Sequence, residues 1–301
     1  MAQSGTIARA IESANPGTTV TIVPITTTGD AHQTLAFDSV GTVGMFVTEI
    51  ERALLDDRID VAVHSLKDLP TAETAGLVIA AVPPRANAFD VLVKRGPGAR
   101  PAAPRIGTGS PRRAAQLLAR HPDAAVMPLR GNVDTRLRKL DAGEFDAVVL
   151  AAAGLERLGL LDALDGEGRV EMLDLLRMVP APGQGCLGVQ CRSGDAVTRA
   201  ALARLDDADS RAAALAERAL LAALGGGCHA PIAAFAHVTD GVPRRLSLMG
   251  LVVSLDGATL LTRTVDGAPD DPVAAGVACA RALFDAGAGP ILGRDAIVEP
   301  G

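Results

Sequence analysis

The stretch Asp60-Val-Ala-Val-His-Ser-Leu-Lys-Asp-Leu-Pro70 decides the fold. Residues 60–64 are apolar toward both faces, as in a strand of a parallel sheet covered by helices on each side. A polar run follows at once and stops at a proline-stiffened turn. In parallel α/β sheets that carboxyl end is where ligands bind. The same alternation extends outward in both directions. Residues 19–24 form a β-branched run predicted as a strand, and residues 44–56 a helix with Phe46, Ile50 and Leu54 on one face. Residues 105–108 predict a strand that enters a helix through Ser110-Pro111, an N-cap with proline at the first helical position. Residues 124–129 lead to a second helix starting near Asn132, and residues 145–151 read as a further buried strand. Strands joined by crossover helices imply parallel sheets with helices on both faces.

Composition breaks at Pro83-Pro84 to Ala88, and again at Val179-Pro-Ala-Pro-Gly183, mark hinge crossings between two such domains. Beyond Asp206 the pattern changes. A helix over 210–224 ends at Gly225-Gly226-Gly227, alternating strands follow with Asp256-Gly257 as a hairpin turn, and a helix covers 271–286. The expected fold is therefore α/β, with two hinged doubly wound α/β domains and a small C-terminal α+β domain. Residues 1–84 with about 185–204 form the first domain, 88–181 the second and 206–301 the third.

Of the 301 residues, 48% are hydrophobic and 21% charged, enough to build packed cores. A formal net charge of −6 and the absence of Trp and Tyr argue against nucleic-acid binding. Cys186, Cys191, Cys228 and Cys279 lack the paired spacing of a zinc site and are too sparse for a disulfide scaffold, so no metal is expected. The opening residues show no basic start followed by an apolar block, and no apolar run is expected to span a bilayer. The expectation is a soluble cytoplasmic protein, monomeric and without a membrane partner.

Three groups of residues carry chemistry. Cys228 follows the triple glycine; it reads either as a small apolar residue in a loose turn or as an accessible thiol to which something attaches. Arg112 and Arg113 lie in a helix's first turn, where the dipole disfavours cations unless an anion binds there. Arg130, Arg136, Arg138 and Lys139 repeat the arrangement around the second helix start. Surface solvation is the alternative for either group. Several carboxylates on one ligand fit separated arginines better than phosphate, for which the Gly107-Thr108-Gly109 stretch is too weak a loop signal. Asp68 reads as a catalytic carboxylate able to hold a cation and pass a proton, or as a turn cap. His64 reads as a base or ligand, or as a hydrogen-bonded structural residue.

Taken in order, several stretches resemble the porphobilinogen deaminase (hydroxymethylbilane synthase) family. They are residues 61–70, Gly107-Thr-Gly-Ser-Pro-Arg-Arg113, Leu129-Arg-Gly-Asn-Val-Asp-Thr-Arg136, residues 150–159, Pro180-Ala-Pro-Gly-Gln-Gly185, Glu217-Arg218 and Gly226-Gly-Cys-His-Ala-Pro231. The resemblance covers essentially the whole chain. It implies a transferase that joins four porphobilinogens head to tail, with loss of ammonia, into hydroxymethylbilane for tetrapyrrole synthesis. It implies a dipyrromethane cofactor held through a thioether to Cys228, with Asp68 as the catalytic acid. Cofactor contacts are implied for Ser65, Lys67, Thr108, Ser110, Arg112, Arg113, Arg130 and Asn132. Substrate contacts are implied for Phe46, Arg136, Arg157 and Gln184.

The chain departs from the family at its start. Members usually open with a strand and a loop reading approximately Arg-x-Gly-Thr-Arg-x-Ser-x-Leu-Ala, whereas here Met1-Ala-Gln-Ser falls inside the helix that should follow. A misassigned start or a truncated form is the expectation, with one strand of the first sheet and some cleft ligands missing. Thr28 and Val43 stand where an arginine and a lysine are common. The competing reading is a non-catalytic anion-binding module, since two hinged α/β domains with arginines in the cleft also describe periplasmic-type solute receptors.

Overall fold

The computed structural model describes residues 2–25, 42–98, 103–227 and 230–298, with only the backbone described for 42–46. The chain divides into two compact units, one of residues 1–85 with 186–211 and the other of 86–185 with 212–301.

In chain order, the first unit supplies α1 (Ala2–Ala14), α2 (Thr42–Leu55), β1 (Ala62–Ser65), a 3-10 turn (Leu66–Asp68) and β2 (Leu77–Ala81). The second unit then runs β3 (Asp90–Lys94), β4 (Arg105–Thr108), α3 (Pro111–Arg120), β5 (Ala125–Pro128), α4 (Val133–Asp141), β6 (Ala147–Ala151), α5 (Ala152–Arg157), α6 (Leu161–Gly166) and β7 (Val170–Leu173). The chain returns to the first unit with β8 (Leu187–Arg192) and α7 (Ala196–Ala203), and α8 (Ala208–Ala223) carries it back. The C-terminal portion comprises β9 (Ile232–Thr239), β10 (Arg245–Val253), β11 (Leu260–Gly267), α9 (Pro272–Leu283) and α10 (Gly289–Leu292).

The predicted parallel sheet of the first unit takes a different form. Its strand order is β1-β8-β2, and β8 runs antiparallel to both neighbours. Parallel neighbours require a crossover connection. β8 instead arrives from the second unit and enters between two strands that share one direction. Residues 19–24 form no described ladder; Val20 packs into the unit's core, and its N–H donates to Glu12 Oε1 at 2.9 Å. A β-branched run becomes a strand only where a neighbour accepts its backbone hydrogen bonds, and no described strand pairs with this one. Ile7 and Ile11 of α1 close the core against Ala81, Leu187, Val189 and Leu202.

In the second unit a five-stranded sheet has the order β5-β4-β6-β3-β7. β4 is parallel to β5 and β6, while β3 is antiparallel to β6 and β7. The parallel portion is the part that presents two helix starts on one edge. The C-terminal sheet, β11-β10-β9, is an antiparallel meander whose core is completed by α8 and α9. Asp256-Gly257 makes the expected hairpin turn, with Gly257 N donating to Ser254 O at 2.8 Å.

Contrary to the expectation, the stretch Pro272–Leu292 is long and apolar enough to cross a membrane by length and composition. It is broken by Gly287 at φ 102°, and Ala275, Cys279, Ala280, Leu283 and Ala288 lie in the core of the second unit. The composition is that of a core helix.

Candidate functional site

Asp68 is delivered by two buried anchors. Leu66 (2% exposed) and Leu69 (6% exposed) flank the pair Lys67-Asp68, so Lys67 is half-buried and Asp68 exposed. Leu66 N donates to Cys186 O at 3.1 Å, and its side chain lies over Gly188, where an added Cβ would sit 2.5 Å from Leu66 Cδ2. A backbone hydrogen bond closes the turn, Leu69 N to Leu66 O at 3.3 Å, and the Ser65 side chain makes no cap hydrogen bond at its start. Ser65 Oγ accepts from Gln3 Nε2 at 2.9 Å.

His64, buried one turn earlier, belongs to a relay. Its Nε2 meets Gln190 Oε1 at 3.0 Å, Gln190 Nε2 donates to Glu51 Oε1 at 2.9 Å, and Thr74 Oγ1 donates to Glu51 Oε2 at 2.8 Å. Burial pulls the His64 pKa below 6.5, against the Gln190 hydrogen bond and the charge of Glu51. A neutral ring held this way is a structural residue of the strand. Among the described residues, no group of three His, Cys, Asp or Glu side chains converges on a metal-sized site.

In the second unit the cationic residues gather at the carboxyl ends of β4 and β5. Leu129 N donates to Thr108 O at 3.2 Å, tying the two loops together. Ser110 caps α3 by accepting from Arg113 N, and Thr108 Oγ1 accepts from Ser110 N at 3.2 Å. Asn132 caps α4 by accepting from Thr135 N at 2.9 Å. Two helix N-termini with their free N–H groups thus share one edge, an arrangement that attracts anions. Arg130 is exposed there, and Arg136 Nε donates to Gly131 O at 2.7 Å. Arg157 Nη2 donates to Gly185 O at 2.7 Å.

Arg112 and Arg113 are not solvated. They are buried, at 4% and 6% exposure, against a residue the sequence reading did not single out, the fully buried Asp90. Arg112 Nη2 lies 2.8 Å from Asp90 Oδ2 and Arg113 Nη2 lies 2.7 Å from Asp90 Oδ1. Gln184 Nε2 donates to the same Oδ1 at 2.8 Å and to Ala88 O at 2.7 Å. Burial alone would raise the Asp90 pKa, but the two guanidiniums and these hydrogen bonds hold it far below the usual carboxylate range. Burial lowers Arg112, with Asp90 opposing. Two guanidiniums face one carboxylate, leaving one positive charge uncompensated within this cluster. Arg112 Nε is also the one buried side-chain nitrogen or oxygen, among the described residues, with no hydrogen-bond partner. The cluster fits an anionic ligand group such as a carboxylate.

Glu217 belongs to the Glu217-Arg218 motif. It is fully buried, accepting from Gly183 N at 2.6 Å and Ala236 N at 2.7 Å, and so fixes the loop that carries Gln184. The available signal was a charged pair, Glu217-Arg218, inside an alanine-rich helix; for Asp90 it was an acid opening an apolar strand. Cys228 and the side chain of Phe46 lie outside the described residues.

Two family models match the chain. The one described as porphobilinogen deaminase, dipyromethane cofactor binding domain, matches residues 1–200, and the one described as porphobilinogen deaminase, C-terminal domain, matches residues 212–285. The porphobilinogen deaminase of Chromobacterium violaceum is 45% identical over 100% of this chain and 95% of its own length. That of Mycolicibacterium gilvum is 44% identical over 97% and 95%. That of Acidothermus cellulolyticus is 46% identical over 97% and 87%. Among solved structures, the periplasmic VFT2 domain of Bordetella pertussis BvgS aligns with a TM-score of 0.39 at 15% identity, over 67% of this chain and 75% of that domain.

Proposed function

Because the chain belongs to the porphobilinogen deaminase family, we propose residue roles for the reaction that membership entails. The protein is an enzyme of tetrapyrrole biosynthesis that joins four porphobilinogens head to tail into hydroxymethylbilane, and it carries the family's dipyrromethane-binding domain. When bound, the dipyrromethane supplies the free pyrrole carbon on which the first substrate is added. We assign its thioether attachment to Cys228.

Asp68 is the catalytic carboxylate. In each addition the substrate's aminomethyl C–N bond breaks, ammonia leaves, and a methylene-pyrrole cation remains. A C–C bond to the acceptor pyrrole then forms as its α-proton is lost. An exposed carboxylate on a short turn, anchored by Leu66 and Leu69, stabilises that cation through space and carries the proton. Arg112, Arg113, Arg130, Arg136 and Arg157 hold acetate and propionate arms. The two capped helix starts at Ser110 and Asn132 add backbone N–H donors. Lys67, Ser65, Thr108, Gln184 and Phe46 complete the binding set. The observation that carries this reading is the buried, net-positive Asp90–Arg112–Arg113 cluster with its unpartnered Nε. A structural ion pair alone would be balanced.

We further infer that the protein works as a cytoplasmic monomer on this small molecule, without nucleic acid or membrane. The net charge of −6 supports the absence of a nucleic-acid partner. Residues 1–84 with about 185–204, residues 88–181 and residues 206–301 are proposed to act as three functional domains, bearing Asp68, the arginines and Cys228 respectively.

Intact-mass measurement tests the assignment. The parent protein is expected to carry a two-pyrrole addition that is absent in Cys228→Ala. An unmodified, folded and inactive parent would instead support a non-catalytic anion receptor.

A further inference from the structure

Gln116 is a fully buried polar side chain on α3, four residues after Arg112. Residues at that spacing share a helix face, and these two converge on the backbone of Val179. Gln116 Nε2 donates to Val179 O at 3.0 Å, and Val179 N donates to Gln116 Oε1 at 2.8 Å. Only this orientation of the amide satisfies both backbone groups. Arg112 Nη1 donates to the same Val179 carbonyl at 2.6 Å, while its Nη2 donates to Asp90 Oδ2 at 2.8 Å. One carbonyl oxygen is thus shared by the arginine and by the glutamine one turn further on.

A guanidinium is planar, so fixing two of its nitrogens sets the direction of the third. Here the third is Nε, which has no protein acceptor. Asp90 fixes one corner by charge. The other corner is only as well placed as the Val179 carbonyl, which lies between β7 and β8, outside any strand ladder. Its position is imposed by neighbours. Gln116 grips Val179 at both its N–H and its carbonyl, and Ala234 N donates to Pro180 O at 3.0 Å. The helix that carries Gln116 is itself tightly backed. Ala115 packs with Val179, Ala233, Leu251 and Val253, and a Cβ added to Gly257 would lie 2.5 Å from Ala119 N.

We propose that Gln116 is a positioning residue for Arg112: it fixes the Val179 carbonyl that aims the guanidinium, and so sets the direction in which the free Nε meets a carboxylate of the pyrrole ligand. This rests on the reading that Arg112 holds such a carboxylate. Without Gln116 the arginine keeps its charge and its Asp90 partner but loses its second fixed corner. A ligand carboxylate is then held less well before and during reaction alike, which raises KM and leaves kcat unchanged.

The test compares the parent, Gln116→Met, Gln116→Glu, Arg112→Leu and the double variant Gln116→Met with Arg112→Leu, each purified from cells that make no porphobilinogen. Porphobilinogen is titrated in, and intact mass gives the concentration at which half the protein carries the two-pyrrole addition. KM and kcat are then measured on the loaded enzyme. Gln116→Met, which removes both hydrogen bonds at similar length, is expected to raise the half-loading concentration and KM about three- to tenfold, with kcat within about twofold of the parent. Gln116→Glu keeps an acceptor for Val179 N but has no amide donor for Val179 O; the same loss is expected, and this variant decides the matter where Gln116→Met does not fold. In the Arg112→Leu background, Gln116→Met is expected to add less than about twofold, because the group it positions is gone. A merely structural glutamine would lower the urea midpoint and cost the same factor in both backgrounds, and that additivity overturns the proposal. So does unchanged loading in a folded Gln116 variant. If Arg112→Leu loads and turns over like the parent, or the parent takes up no addition, the reading of Arg112 as a ligand-holding residue fails and this inference with it. A sensitive Arg112→Leu with additive Gln116 effects overturns this inference alone.

Discussion

Arg112 and Asp90 meet at 2.8 Å in the interior of the second unit, while the Nε of the same guanidinium has no protein acceptor. One side of the arginine is committed to holding it in place and the other retains donor capacity. Arg113 shares the carboxylate, so the cluster keeps an excess positive charge inside the fold. Burying such an excess is unfavourable unless an anion completes it.

Removing the carboxylate should be costly. Asp90→Asn leaves two buried guanidiniums without a counter-charge, and a loss of about 3–5 kcal/mol is expected from urea unfolding. The folded pKa of Asp90 lies below its ordinary 3.8, so its contribution is fully present above that value and is lost as pH falls below it. Parent stability should therefore fall more steeply than that of the variant as pH drops below about 4. Parallel acid profiles for the two proteins would show that Asp90 does not carry the ionic cluster.

Arg112→Leu should behave in the opposite way. Asp90 keeps Arg113 as a one-to-one partner, so folding survives and the excess charge disappears. The lost charge-assisted hydrogen bond, worth about 1.5–3 kcal/mol, predicts roughly ten- to hundredfold weaker retention of a carboxylate-bearing pyrrole. Unaltered cofactor loading and KM in this variant would remove Arg112 from ligand binding.

Asp68→Asn exchanges an exposed carboxylate for a neutral isostere on a turn that backbone and Leu66 hold. Turnover should fall by about 10²–10⁴-fold, with melting temperature essentially unchanged. Single-turnover kinetics within about tenfold of the parent would exclude the carboxylate from the chemical step.

The relay through His64 predicts a separate pH effect. Its folded pKa is lowered from 6.5, so above pH 6.5 it carries no proton-linked cost in either state. As pH falls through 6.5, the unfolded chain takes up a proton that the folded one refuses, and stability declines until the folded pKa is passed. Urea midpoints measured from about pH 7.5 to about 5 should decline in the parent. In Gln190→Glu a carboxylate beside the ring would raise the His64 pKa and flatten that decline. An unchanged slope in the variant would mean that His64 does not titrate as this geometry requires.

Local signals in the sequence located much of this protein. Ser110-Pro111 and Asn132 announced two helix starts because caps act within three residues, and Asp256-Gly257 announced a hairpin for the same reason. The position of Asp68 beyond an apolar strand, and of the arginines beyond β4 and β5, followed from chain order alone. Tertiary structure decided the partners. In sequence Arg112 reads as an anion-binding cation at a helix start, with surface solvation as the alternative; folding alone sets it against an acid 22 residues earlier in the chain, at the opening of another strand. Residues 19–24 had the composition of a strand but not a described neighbour to pair with, and β1 acquired an antiparallel partner from beyond the second unit. Propensity and capping are written in short windows of sequence. Counter-charges, ladder partners and burial are set by which distant segments come together, and that depends on the packing of the whole chain.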